Sequence, residues 1–158
     1  MKILLPVDGS LPSLDAVRHA LGLVAQGLRA SFVLVNVQEP PSLYEVVVVH
    51  DAEGIEKMRS AAGADLLQAA EALLDAAGVD YESEVAGGDP SHLLVDLLEN
   101  YGCDAVVMGA RGMGDPEGGG IGSVAHELLL HCPAPVTLVR LRPDGGADAS
   151  AEDDGSDA

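Results

Sequence analysis

The chain has 158 residues, 47% of them apolar, with no Trp, one Phe and three Tyr, so a single domain with an aliphatic core is expected. Its net charge of −18, from 26 acidic against 8 basic residues, argues against nucleic acid and anionic membrane as partners, since both need basic surface. No apolar run approaches the roughly 20 residues of a membrane span, and Asp8 interrupts MKILLPVDGS too soon for a signal peptide, so a cytoplasmic protein is expected.

Residues 2–7, KILLPV, read as a short strand without alternation, as expected when both faces are buried. Asp8-Gly9-Ser10 turns the chain into a helix over about 12–26, with Leu14, Val17, Leu21 and Val24 on one face and Asp15, Arg18 and His19 nearer the other. A second strand over 30–37, ASFVLVNV, stops at Glu39-Pro40-Pro41, completing a strand–helix–strand unit with a right-handed crossover. Residues 42–52 are left open between extended chain, which four consecutive valines favour, and a loop or short helix; from about Ala52 to Ala77 an Ala- and Leu-rich stretch with apolar residues at helical spacing reads as a helix. A third strand covers 81–86. Asp89 caps and Pro90 starts a helix that runs to about Tyr101 and ends at Gly102. The fourth strand is 104–108, a helix spans 123–131, Pro133 closes it, and the last strand lies in 134–141.

Residues 143–158, PDGGADASAEDDGSDA, hold six acids and no base, the composition of a disordered, solvating tail; residues 1–142 form the domain and still carry −12. Cys103 and Cys132 lack metal-ligand spacing and read as free thiols in a reducing compartment. The five histidines show no metal spacing either, and Ser10, Ser13 and Ser91 sit at helix starts, where capping explains them. No catalytic triad or carboxylate pair emerges.

Strands alternating with helices give the α/β class, a five-stranded parallel sheet with helices on both faces. In such sheets ligands sit beyond the carboxyl ends of the strands, where the strand order reverses. The fourth strand leads into a loop with Gly109, Gly112, Gly114, Gly118, Gly119, Gly120 and Gly122 before Ser123 opens a helix. Unpaired N–H groups at a helix start and close backbone approach at glycines suit an anion, most often a phosphate. The two commonest nucleotide fingerprints are not met. The spacing is instead Gly109-x2-Gly112-x9-Gly122-Ser123. With MKILLPVDGS at the start and APVTLVR near the end, it resembles the nucleotide-binding branch of the universal stress protein family over about residues 1–142.

That resemblance implies the strand order 3-2-1-4-5, a crevice between the first and fourth strands, and a ligand that is ATP, AMP or another adenine nucleotide, with Mg²⁺ as its counter-ion. Asp8 either caps the first helix or accepts hydrogen bonds from ribose or adenine. Val37 would meet adenine through its backbone, with Pro6, Val7 and Met108 as apolar walls. Gly109, Gly112, Gly122 and Ser123 would hold the phosphates beside Val124, Ser123 serving also as helix cap. Arg111 pairs either with phosphate or ribose or with a surface acid. Two departures stand out. Asp115 and Glu117 lie inside the glycine loop, where each would disfavour a triphosphate by roughly 1–4 kcal/mol at about 4 Å, and Ala125 replaces a hydroxyl residue the family often has.

The family also implies a homodimer formed through the last strand, residues 135–141, with Arg140 and Arg142 limiting wrong pairing at that edge. The expected function is that of an ATP-binding, ligand-responsive stress signalling or protective protein. Hydrolysis is expected to be slow at most, since no residue stands out as a water-positioning base. The alternatives are a slow ATPase proper, or a dimeric interaction module that has lost triphosphate binding through Asp115, Glu117 and Ala125.

Overall fold

A computed structural model describes residues 1–40, 47, 52–112 and 120–141. The readings placed on most of 42–52, on Asp115 and Glu117, on Arg142 and on the 143–158 tail lie outside those residues. The elements are β1 (Lys2–Pro6), α1 (Leu11–Ala25), β2 (Ser31–Gln38), α2 (Ala52–Ala77), β3 (Tyr81–Gly87), α3 (Pro90–Tyr101), β4 (Ala105–Gly109), α4 (Ser123–His131) and β5 (Val136–Val139). All strand pairs are parallel and the order is β3-β2-β1-β4-β5, as the resemblance implied.

The apolar strands build two cores because successive side chains point to opposite faces. Ile3, Leu5, Phe32 and Leu34 pack beneath α1 and α2, where Val17, Ala20, Leu67, Ala70 and Leu74 close the layer. Leu4, Val33, Val35, Val106 and Met108 pack beneath α3 and α4, against Leu94, Leu97, Leu98, Ala125 and Leu128. In α2 the buried positions Gly63, Leu67, Ala70 and Leu74 recur at helical spacing. Gly63 is required there, because a Cβ would lie 2.5 Å from Val85 Cγ1 and 2.9 Å from Asn36 Oδ1.

Pro6 is unusual in a central strand, since it cannot donate to a ladder. It is tolerated because β1 and β4 pair only at Ile3↔Ala105 and Leu4↔Val106. The last strand is shorter than expected: regular pairing covers Val136–Val139, opposite Val106 to Gly109. The five-residue β4 sets that length, with outlying bonds from Val106 N–H to the Pro135 carbonyl and from Ala110 N–H to the Val139 carbonyl.

One assignment on α1 needs correction. Asp15 is not on the polar face; it is only 6% exposed, and its Oδ1 accepts from Arg18 Nη1 at 3.0 Å. The helix is covered over a wider arc than one apolar stripe, because it packs on β4, β5 and α2 at once.

Candidate functional site

β1 runs to the top of the sheet, and the chain leaves it at Pro6-Val7-Asp8. Asp8 Oδ1 accepts from the Ser10 N–H at 2.9 Å and from the Ser10 hydroxyl at 2.5 Å. Ser10 is the N-cap of α1, its Oγ accepting from Ser13 N–H at 3.3 Å, while the Ser13 hydroxyl donates to the Ser10 carbonyl at 2.9 Å. Asp8 therefore does not cap the helix itself. It braces the residue that does, and its other oxygen, Oδ2, faces Gly112 across the crevice, 2.6 Å from where a Cβ would stand.

Strand parity decides what else faces the crevice. In β2, Ser31 N–H donates to Met1 and Val7 N–H donates to the Val35 carbonyl, so odd-numbered residues turn their backbone toward β1. Phe32 N–H donates to Asp80 and Gly88 N–H to the Gln38 carbonyl, so even-numbered residues turn theirs toward β3. Val37 consequently directs its N–H and C=O toward β1's side, beyond the point where β1 has ended. In β4, Val106 and Ala110 bond to β5, so Gly109 directs its backbone toward the same gap from the other side.

The glycines of the loop make room for the chain's own close approaches. A Cβ on Gly109 would lie 2.9 Å from Pro12 C and Cβ and 3.0 Å from Ser13 N, so this glycine lets the first turn of α1 sit on the end of β4. Gly122 N–H donates to the Ala110 carbonyl at 2.7 Å, closing the loop back onto β4, and the Gly122 carbonyl accepts from His126 N–H at 2.9 Å. Gly122 is thereby the N-cap of α4, with extended backbone and no side-chain cap. Ser123 was expected to be that cap; it is instead the first helical residue, because the bond to Ala110 places the cap one position earlier. The opening N–H groups of α4 have no capping side chain among the described residues, an arrangement that favours an anion.

Between these elements lies a cavity of about 550 Å³. Pro6, Val7 and Asp8 line it from β1, Val37 from β2, Met108, Gly109, Arg111 and Gly112 from the end of β4, and Gly122, Ser123 and Val124 from the start of α4. All eleven residues singled out in the sequence thus lie along one cleft. Arg111 stands at its rim, with Nη1 3.4 Å from the position of a Cβ on Gly120. Ala125, noted for its missing hydroxyl, is also on the wall.

Other lining residues were not singled out. Val35 and Leu94 extend the apolar floor, Pro90 brings the start of α3 to the opening, and Glu39 stands at the end of β2. Val35 was legible in principle, two residues before Val37 on the same strand face. Pro90 and Leu94 were not, since nothing local says that α3 starts over the cleft. Among the described residues no group of three or more His, Cys, Asp or Glu side chains could hold a metal ion, and no helix is long and apolar enough to cross a membrane.

A model of the universal stress protein family matches residues 1–140. A universal stress protein of Methanocaldococcus jannaschii is 27% identical over 139 residues, spanning 88% of this chain and 81% of the relative. Among solved structures, a universal stress protein from Lactobacillus plantarum superposes with a TM-score of 0.74 at 22% identity, over 89% of this chain and 97% of that one. A universal stress protein family protein from Arabidopsis thaliana, solved with AMP bound, superposes with a TM-score of 0.68 at 20% identity, over 97% of this chain and 99% of that one.

Proposed function

As the chain belongs to the universal stress protein family, we propose that its cleft binds an adenine nucleotide, ATP or AMP, and that occupancy rather than rapid chemistry is its output. The observation that carries this reading is the pairing of two kinds of surface in one cleft. At one end an open backbone edge at Val37 stands over the apolar floor of Val35, Met108 and Leu94. At the other, Gly109, Gly112 and Gly122 bring backbone up to the uncapped start of α4.

A flat, neutral base with one donor and one acceptor suits the Val37 edge. Asp8, between the two ends, suits ribose hydroxyls, which donate to a carboxylate. Phosphate oxygens suit the N–H groups of Ser123, Val124 and Ala125, with Arg111 at the rim adding positive charge. Mg²⁺ enters this reading with the phosphates as their counter-ion. The AMP carried by the Arabidopsis thaliana relative fits the same division of labour.

Calorimetric titration with AMP and with ATP, each with and without Mg²⁺, tests the proposal beside Asp8→Ala and Gly112→Val. Micromolar binding that both substitutions abolish while the proteins stay folded is the expected outcome. No heat at millimolar nucleotide would refute nucleotide binding, and AMP binding without ATP binding would assign the loss of triphosphate to the acidic loop. The same reading extends to a cytoplasmic homodimer joined through residues 135–141. β5 supports it, being among the described residues an edge strand paired to β4.

A further inference from the structure

β2 is apolar from Phe32 to Val35, then places Asn36 on the face beneath α2, 1% exposed. Burying an amide is costly unless its hydrogen bonds are made. Here they are. Asn36 Nδ2 donates to the Val7 carbonyl at 2.8 Å, and Asn36 Oδ1 accepts from Gln38 Nε2 at 2.5 Å. The orientation is not arbitrary, since a carbonyl only accepts and the atom facing Val7 must be the nitrogen. Gly63 on α2 leaves the space the amide occupies.

The partner it holds is telling. The β1–β2 ladder runs through Pro6↔Val35 and closes with Val7 N–H on the Val35 carbonyl at 2.8 Å. The next rung of a parallel ladder would give the Val7 carbonyl to the Val37 N–H. The Asn36 side chain takes that oxygen instead, from the opposite face of the sheet. β1 and β2 then separate a rung early, and the Val37 edge is left facing the cleft.

We infer that Asn36 is a positioning residue for the ligand site: by holding the Val7 carbonyl, it keeps the Val37 backbone edge open for a nucleobase and fixes the exit of the chain into Asp8. The inference rests on the nucleotide reading for its ligand, but not for its structural half. Asn36 does not itself line the cleft; it acts through Val7 and Val37, which do.

Amide hydrogen exchange on the full chain, read residue by residue, tests it. In ligand-free wild type the Val37 amide should exchange at least about tenfold faster than Val35, its neighbour on the same side of β2, and AMP should slow it. In Asn36→Val the Val7 carbonyl becomes available to the Val37 N–H, so Val37 should become as protected as Val35 without ligand. AMP affinity should fall by about tenfold or more while affinity for inorganic triphosphate, which needs no base edge, stays the same. Gln38→Leu, which removes only the bond aligning the amide, should move both readouts the same way by less, and serves if Asn36→Val does not fold. Val37 already as protected as Val35 in ligand-free wild type would overturn the inference. So would AMP and triphosphate affinities falling together in Asn36→Val, or AMP affinity unchanged. If wild type binds no AMP at all, the nucleotide reading fails alone, and exchange at Val37 in ligand-free wild type and Asn36→Val still decides the role of Asn36.

Discussion

Asp89 and His92 illustrate how much a helix start can do with two exposed side chains. Asp89 is the N-cap of α3, its Oδ2 accepting from His92 N–H at 3.3 Å, from the Ser91 hydroxyl at 3.0 Å and lying 2.5 Å from His92 Nδ1. The bond to His92 holds Asp89 below its ordinary 3.8, and the bond to Asp89 holds His92 above 6.5. The contribution of His92 to the folded state is therefore complete below 6.5 and lost as pH rises through its raised value. That of Asp89 is present above 3.8 and lost as pH falls through its lowered value. Asp89→Asn should bring His92 back toward 6.5, visible in an NMR titration of the imidazole; an unmoved His92 would remove Asp89 as the cause. Cys103 follows a different rule, because burial pushes its thiol up and away from reactivity. At this scale the sequence was read well where a residue acts locally, as Asp89 does. It was read less well where a remote bond intervenes: the Gly122–Ala110 contact takes the cap away from Ser123, and packing on three elements buries Asp15.

Element packing turns on two glycines with opposite consequences. Gly109 lies where a Cβ would strike backbone atoms of Pro12 and Ser13, neither of which is the end of a flexible side chain. Gly109→Ala should destabilise the fold by about 1–3 kcal/mol, the range for overpacking. Gly22 is exposed on α1 with nothing within 4 Å of an added Cβ, so Gly22→Ala should stabilise by about 0.5–1 kcal/mol through helix propensity. Urea unfolding of the two variants beside wild type measures both, and equal shifts would contradict the distinction. The element boundaries themselves were largely legible. Caps, glycine stops and prolines placed α1, α3 and α4 to within a residue or two, because these signals act on adjacent backbone. The length of β5 was not, since pairing with the short β4 decides it.

For the whole molecule, charge and edge act against each other. Each chain carries −18, while β5 is, among the described residues, the edge strand of the sheet, near the exposed Leu129 and Leu130 of α4. If copies join through residues 135–141, bringing two such chains together is opposed by repulsion that salt screens over about 10 Å at 0.1 M. Sedimentation should therefore give twice the monomer mass, with dissociation at low ionic strength and tighter association as salt rises. A monomer at every salt concentration would exclude the dimer, and association that weakens with salt would place attractive charge pairs at the interface.

Local signals were enough for the class of fold and for gathering the candidate residues along one cleft. Apolar strands without alternation, helical stripes, caps and the spacing from Gly109 to Ser123 all act within a few residues, so they can be read in order along the chain. What tertiary structure alone decided is the ownership of backbone hydrogen bonds. Val37 and Gly109 face the crevice because of strand parity and because β1 stops short of its neighbours. Asn36, an unremarked polar residue in an apolar strand, acquires its meaning only when the Val7 carbonyl is seen within its reach. A rung is shared between two strands, and no stretch of one strand specifies where the other will end.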